Sequence, residues 1–160
     1  MVDVADTSAL LAWPPVKVSE VFAVPSQLEE VAKFSPERGL LFDSQGPKLV
    51  QPSQSSIQAA RDASAKTGDL SGLSPIDIEI LALSLEMSAI LHTDDYRMQN
   101  VARSAGIEWK PVSQRGISSG WKWEIRCTGC GKKDNATANE NQITDCDICG
   151  SPRKLKKKRK

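Results

Sequence analysis

A chain of 160 residues holds one core of ordinary size and a small appendage, and its 39% apolar and 26% charged content is that of a globular protein. Its apolar runs are too short to span a membrane, and its N-terminus lacks the basic-then-apolar order of a secretory signal, so the cytoplasm is the expected compartment. The net charge of +1 hides an asymmetry: residues 1–112 carry 9 Lys/Arg against 15 Asp/Glu, and residues 127–160 carry 9 against 4. That contrast predicts two modules, the basic one being the place to grip a polyanion.

Val2, Val4 and Ala5 predict a short apolar strand, and Asp6 stands where it stops. Thr7 and Ser8 are suited to cap the helix that Ala9, Leu10, Leu11 and Ala12 begin. In an open α/β sheet the carboxyl ends of the strands border the ligand crevice, so a carboxylate there faces whatever binds. The plain alternative for Asp6 is a helix cap. Trp13-Pro14-Pro15 breaks the helix, and residues 16–23 read as loop or a short extended piece.

Pro25 and Ser26 open a helix carrying Leu28, Glu29, Glu30, Val31 and Phe34. With Leu28 and Val31 facing the core, Glu30 lies at the edge of the buried stripe and Glu29 further out. Both glutamates also suit the helix N-terminal dipole. Pro36, Gly39 and Gly46 punctuate residues 35–47, which read as a turn and a short apolar tether. Residues 48–51 form a strand ended by Pro52, and residues 53–66 a helix that Gly68 closes.

Ser74-Pro75-Ile76-Asp77 starts the strongest helix: a cap, a proline at the first helical position, and an acid at the capping-box position. The capping box is the rival reading of Asp77. Ile78 to Met87 are apolar on most sides, as in a buried helix. Residues 89–92 make a buried strand, followed by Thr93-Asp94-Asp95-Tyr96 and another helix. His92 is the only histidine, which excludes a histidine-rich metal site and suits a strand end. Ile107, Trp109 and Val112 supply a last strand.

Residues 1–112 therefore alternate strand and helix, predicting an α/β fold with a mostly parallel sheet flanked by helices. Asp6, Asp94 and Asp95 fall at strand ends, and Glu30 and Asp77 at helix first turns on the same side. Several carboxylates so close do not all stay ionised without a cation. Oxygen ligands alone favour Mg²⁺ or Mn²⁺, ions suited to phosphodiester cleavage.

These acidic landmarks resemble those of the PIN-domain nucleases over residues 1 to about 112. The run from Thr93 to Ala102, Thr-Asp-Asp-Tyr-Arg-Met-Gln-Asn-Val-Ala, together with the cysteine module described next, resembles the Nob-one family. That family's PIN endoribonuclease matures the 3′ end of small-subunit ribosomal RNA. The resemblance implies that Asp6, Glu30 and Asp77 are metal-site acids. Asp95 matches the fourth, with the adjacent Asp94 left open.

Cys127-x-x-Cys130 and Cys146-x-x-Cys149 are separated by 15 residues, a zinc pattern. Four thiolates predict a closed, structural Zn²⁺ site, with Gly131 and Gly150 at the knuckle turns. Two disulfides are the alternative, disfavoured in a reducing compartment. Residues 113–120 read as a linker and residues 121–152 as the ribbon. Trp121, Trp123 and Ile125 share one strand face, suited to stack on bases or to pack the ribbon. Seven of the eight residues 153–160 are basic, which predicts a tail too charged to fold alone. Arg126, Lys132, Lys133, Arg153, Lys154, Lys156, Lys157, Lys158, Arg159 and Lys160 are the candidate RNA contacts.

These features predict a metal-dependent ribonuclease, and the resemblance implies a single-strand endoribonuclease acting on precursor small-subunit ribosomal RNA within the pre-ribosomal particle. No membrane partner is expected, and self-association into a homo-oligomer stays open. The alternatives are a non-catalytic RNA-binding assembly factor and a toxin-like PIN ribonuclease aimed at transfer RNA.

Overall fold

The computed structural model of the chain describes residues 1–113, 123–135 and 144–157. Alternation of buried strand and helix builds a five-stranded sheet from β1 (Asp3–Ala5), β2 (Phe22–Ala23), β3 (Lys48–Leu49), β4 (Ile90–His92) and β5 (Trp109–Lys110). Its strand order is β3-β2-β1-β4-β5, and every pairing is parallel. Parallel neighbours need crossover connections, and helices supply them. The helices are α1 (Thr7–Ala12), α2 (Pro15–Val18), α3 (Gln27–Phe34), α4 (Pro36–Gln45), α5 (Gln54–Thr67), α6 (Pro75–Glu86) and α7 (Tyr96–Ala105).

The pleat sends alternate β1 residues to opposite faces. Val4 joins Leu91 in a core with Ile80, Leu81, Leu83, Met98 and Val101. Ala5 joins Ala23 in a second core with Leu10, Val18, Val31 and Phe42. The strand order reverses between β1 and β4, so the crevice expected of an open α/β sheet lies past their carboxyl ends. Asp6 and Thr93 are the next residues there.

Within residues 1–112, two stretches differ from the reading of the sequence. Residues 36–45 form α4 and not a turn. Pro36 occupies the first turn, where its missing N–H costs nothing, and the Ser35 hydroxyl caps the Arg38 amide at 3.4 Å. A side chain at Gly39 would sit 2.9 Å from the Ala32 Cβ, so this glycine serves close helix packing and not a break. Pro15, read as part of a breaker, likewise opens α2, which takes in residues 16–18 of the segment read as loop or extended.

A second, antiparallel sheet has the order β7-β6-β8, from β6 (Trp123–Cys127), β7 (Lys133–Asn135) and β8 (Arg153–Lys157). Residues 153–157 are thus strand, where the sequence predicted a tail. Leu155 pairs with the fully buried Ile125. The Arg153 guanidinium donates to the Thr144 carbonyl at 2.7 Å and to Asp134 at 3.2 Å. Register sets Leu155 opposite Ile125 and puts Lys154 and Lys156 on the other face, so the charge count alone misleads. Among the described residues no helix is long and apolar enough to cross a membrane.

Candidate active site and metal centre

Asp6 is the N-cap of α1, and its side chain is only 6% exposed. One carboxylate oxygen accepts the Ser8 hydroxyl at 2.5 Å and the Ala9 amide at 3.1 Å. The other accepts the hydroxyl of Thr93, from the end of β4. Burial pushes the Asp6 pKa above its usual 3.8; hydrogen bonds from Ser8, Thr93 and Ala9 oppose the shift, and the charge of Asp94 adds to it. Asp6 is therefore a cap and also more than a cap: a cap needs one oxygen, and the second is held across the crevice.

Thr7, expected to cap α1, turns its hydroxyl instead to Glu30 at 2.5 Å. Gln27, fully buried and unremarked in the sequence, explains the placement of α3. It donates to the Ala5 carbonyl at 3.0 Å and accepts the Val24 amide at 2.9 Å, tying α3 to the end of β1. One turn later Glu30 is half-buried, while Glu29 is exposed.

Asp77 closes the capping box of α6, accepting the Ser74 amide at 2.9 Å while the Ser74 hydroxyl accepts the Asp77 amide at 3.1 Å. Its pKa is raised, first by burial, and also by the charges of Asp95 and Glu30. The capping box and proximity to other acids thus coexist. Asp95 caps α7, accepting the amides of Arg97 at 2.8 Å and Met98 at 3.3 Å, and the Thr93 hydroxyl accepts the Asp95 amide at 3.0 Å. Asp94 turns to the other side and accepts the amides of Val112 at 2.8 Å and Ser113 at 3.0 Å and the Ser113 hydroxyl at 2.7 Å. Thr93 connects the Asp6 carboxylate to the Asp95 amide, Asp77 feels the charges of Asp95 and Glu30, and Asp6 feels that of Asp94. The Nε2 of His92 lies 2.7 Å from Asp3. The hydroxyl bridges were legible only as threonines beside acids, because their partners lie 23 and 87 residues away.

Cys127, Cys130, Cys146 and Cys149 form the other set, their sulfurs all within 4.8 Å of one another. Among the described residues this is the only group of three or more His, Cys, Asp or Glu side chains gathered so closely. All four cysteines are free. The Cys127–Cys149 and Cys130–Cys146 sulfur separations are 3.3 and 3.8 Å, too long for disulfides and close to the edge of about 3.8 Å of a tetrahedron with ~2.3 Å metal–sulfur bonds. The amides of Gly129 and Cys130 point at the Cys127 sulfur, at 3.3 and 3.4 Å. Gly131 and Gly150 take φ of +77° and +71°, the left-handed turns that each knuckle requires. Hydrogen bonds from Ser151 bring the Cys149 thiol down to about 6. The four-thiol donor set fits a tetrahedral, thiophilic ion.

The candidate RNA contacts divide. Arg126 is paired with Glu124 at 2.5 Å, Lys132 with Asp147 at 2.9 Å, and Arg153 with Asp134 and Thr144. Lys133, Lys154, Lys156 and Lys157 lie on the exposed surface. Lys158, Arg159 and Lys160 lie outside the described residues, as do Trp121 and most of the expected linker.

A crevice of acids at the reversal of a five-stranded parallel sheet defines a nuclease-like α/β domain. The family model described as the PIN domain of ribonuclease matches residues 4–87, a class generally dependent on divalent metal ions. The chain is 38% identical over 139 residues to endoribonuclease Nob1 of Pyrococcus abyssi, covering 85% of this chain and 83% of that one. It is 38% identical over 170 residues to endoribonuclease Nob1 of Methanocaldococcus jannaschii, covering 99% and 83%. It is 34% identical over 80 residues to the 20S-pre-rRNA D-site endonuclease NOB1 of Saccharomyces cerevisiae, covering 49% of this chain and 17% of that one. The chain belongs to the Nob1 family of PIN-domain endoribonucleases.

Proposed function

We propose that this protein cleaves precursor small-subunit ribosomal RNA at its 3′ end, acting in the cytoplasm on single-stranded RNA within the pre-ribosomal particle. The observation that carries this reading is the buried Asp6 carboxylate, held between the Ser8 and Thr93 hydroxyls at the sheet's reversal and reached by the field of Asp94. The pre-rRNA named for the yeast relative supports the substrate.

Asp6, Asp77 and Asp95 would hold Mg²⁺ or Mn²⁺; when bound, such an ion supplies Lewis acidity to water and to the scissile phosphate. The chain's own groups do the rest. Thr93 and Ser8 fix the rotamer of Asp6, and Thr7 aims Glu30, so the acids need little rearrangement when substrate arrives. Burial raises the Asp6 pKa by disfavouring the bare carboxylate, and so gives that group reason to take a cation. Glu30, held by the Thr7 hydroxyl, would accept a proton from the attacking water. The four cysteines would hold Zn²⁺, and a closed four-sulfur site leaves no position for catalytic water. That ion folds the ribbon, and the exposed Lys133, Lys154, Lys156 and Lys157 would lie along the RNA backbone.

The test is cleavage of a precursor transcript spanning the small-subunit 3′ end, in Mn²⁺, by wild type and Asp6→Asn. The variant should lose at least ~100-fold in rate while binding RNA nearly as well. Equal cleavage by both proteins would refute the mechanism.

A further inference from the structure

Asp69 is fully buried, lies outside the acidic crevice, and has no part in the chemistry above. One of its oxygens accepts the Thr67 hydroxyl at 2.7 Å and the Asn100 amide group at 2.6 Å, both from the nuclease domain. The other accepts the indole N–H of Trp123 at 2.5 Å, and Trp123 is the first residue of β6 in the ribbon. The Arg97 guanidinium lies 4.9 Å from the Trp123 ring centroid and 4.0 Å from Asp69. A side chain at Gly72 would meet that guanidinium at 2.2 Å, so the glycine leaves the space in which Arg97 lies against the indole.

A buried carboxylate short of a donor is costly, and a cation is attracted to the face of an indole. Seating Trp123 satisfies both needs at once. Arg97 also stands in the first turn of α7, where its own amide holds the Asp95 carboxylate at 2.8 Å. One residue therefore touches the ribbon through its side chain and a crevice acid through its backbone.

We propose that Trp123 is a docking residue, and that Asp69, Arg97 and Gly72 form its seat. Seated, it holds the zinc ribbon against α7 at a fixed distance from the acidic crevice. Two RNA-contacting surfaces with a rigid spacing act as a ruler, because binding at one then raises the local concentration of a defined stretch of RNA at the other. Trp123 is thereby committed to protein and does not stack on bases. This role for the spacing rests on the nuclease reading; the docking does not.

The test uses the zinc-loaded full chain and ¹⁵N relaxation. In wild type, amides of β6 and β8 should report the same rotational correlation time as those of the nuclease domain. In Trp123→Ala the ribbon's correlation time should fall by roughly twofold, with zinc content unchanged. Asp69→Asn and Arg97→Ala should release the ribbon from the other side, and they decide the matter should Trp123→Ala lose its zinc. A wild-type ribbon that tumbles faster than the nuclease domain would overturn the proposal, as would variants that tumble like wild type. In cleavage assays, released variants should raise KM for the long precursor at least ~5-fold more than for a short oligonucleotide. Absence of wild-type cleavage would count against the nuclease reading and leave the relaxation result to judge the docking.

Discussion

The acidic crevice and the cysteine knuckle are the two proposed metal sites, and they stand in opposite relations to their scaffolds. The acids sit on a sheet with two apolar cores, and each is restrained by caps and hydroxyls that need no metal. In the ribbon, the buried apolar residues among those described are Ile125, Cys127 and Cys146. Two of these three belong to the four-cysteine set, so the core and the proposed metal site are nearly the same object. On that reading a metal would be a guest in the first region and a structural member in the second.

Removing the ribbon's metal should therefore have the largest effect. Chelation with a thiophilic reagent, or Cys146→Ser, should collapse the ribbon's amide spectrum and leave that of residues 1–112 dispersed. Structural zinc contributes about 10–16 kcal/mol to folding in small modules. A ribbon that stays folded without metal would erase the contrast drawn here.

The crevice should respond to pH and metal in the opposite sense. Asp6 and Asp77 have raised pKa values in the folded state, so the folded protein holds protons there that the unfolded chain has already released. In the metal-free protein, stability should fall as pH rises from about the usual 3.8 through the raised values, and level off above them. Asp6→Asn should flatten much of that slope. Mn²⁺ at 100 times its Kd should return about 2.7 kcal/mol to wild type and far less to the variant. The acid limb of cleavage should lie above the ordinary carboxylate range and move to lower pH as Mn²⁺ is raised. Thermal melts across pH, with and without Mn²⁺, check each part.

A smaller effect separates the adjacent acids. Asp94 is bonded to the chain at Val112 and Ser113, whereas Asp95 faces Asp77 closely enough to raise its pKa. Asp95→Asn should cost roughly 100-fold in cleavage rate. Asp94→Asn should cost much less, with a modest loss of stability as two backbone amides lose a charged acceptor. The reverse order would assign the fourth acid to Asp94.

How much of this was legible follows from the range of the interactions involved. The cysteine spacing and the capped start of α6 are local patterns, and both are present as read. The α/β order was legible because each strand and helix is set by its own periodicity. The helix α4 was missed because Pro36 and Gly39 are breakers in isolation; only contact with Ala32 makes Gly39 useful. The strand β8 was missed because its register against Ile125 decides its fate. The Thr93 bridge to Asp6 and the Trp123 bond to Asp69 join residues 87 and 54 positions apart, beyond any local pattern.

The smallest effect concerns how the ribbon meets RNA. Lys154 is exposed on β8, and its cross-strand partner Arg126 is itself cationic. Like charges opposite one another weaken a strand pair, here relieved by Glu124, which pairs with Arg126 at 2.5 Å. An exposed cation in such a place is suited to phosphate, and phosphate contacts carry no base information. Lys154→Ala should therefore weaken RNA binding only a few-fold and about equally for all sequences, while lowering the slope of log K against log salt by roughly one. Ribbon stability should not fall, because the change removes a like-charge pair. A sequence-dependent loss would mean that β8 reads bases, and the ribbon would then select the site as well as hold the strand.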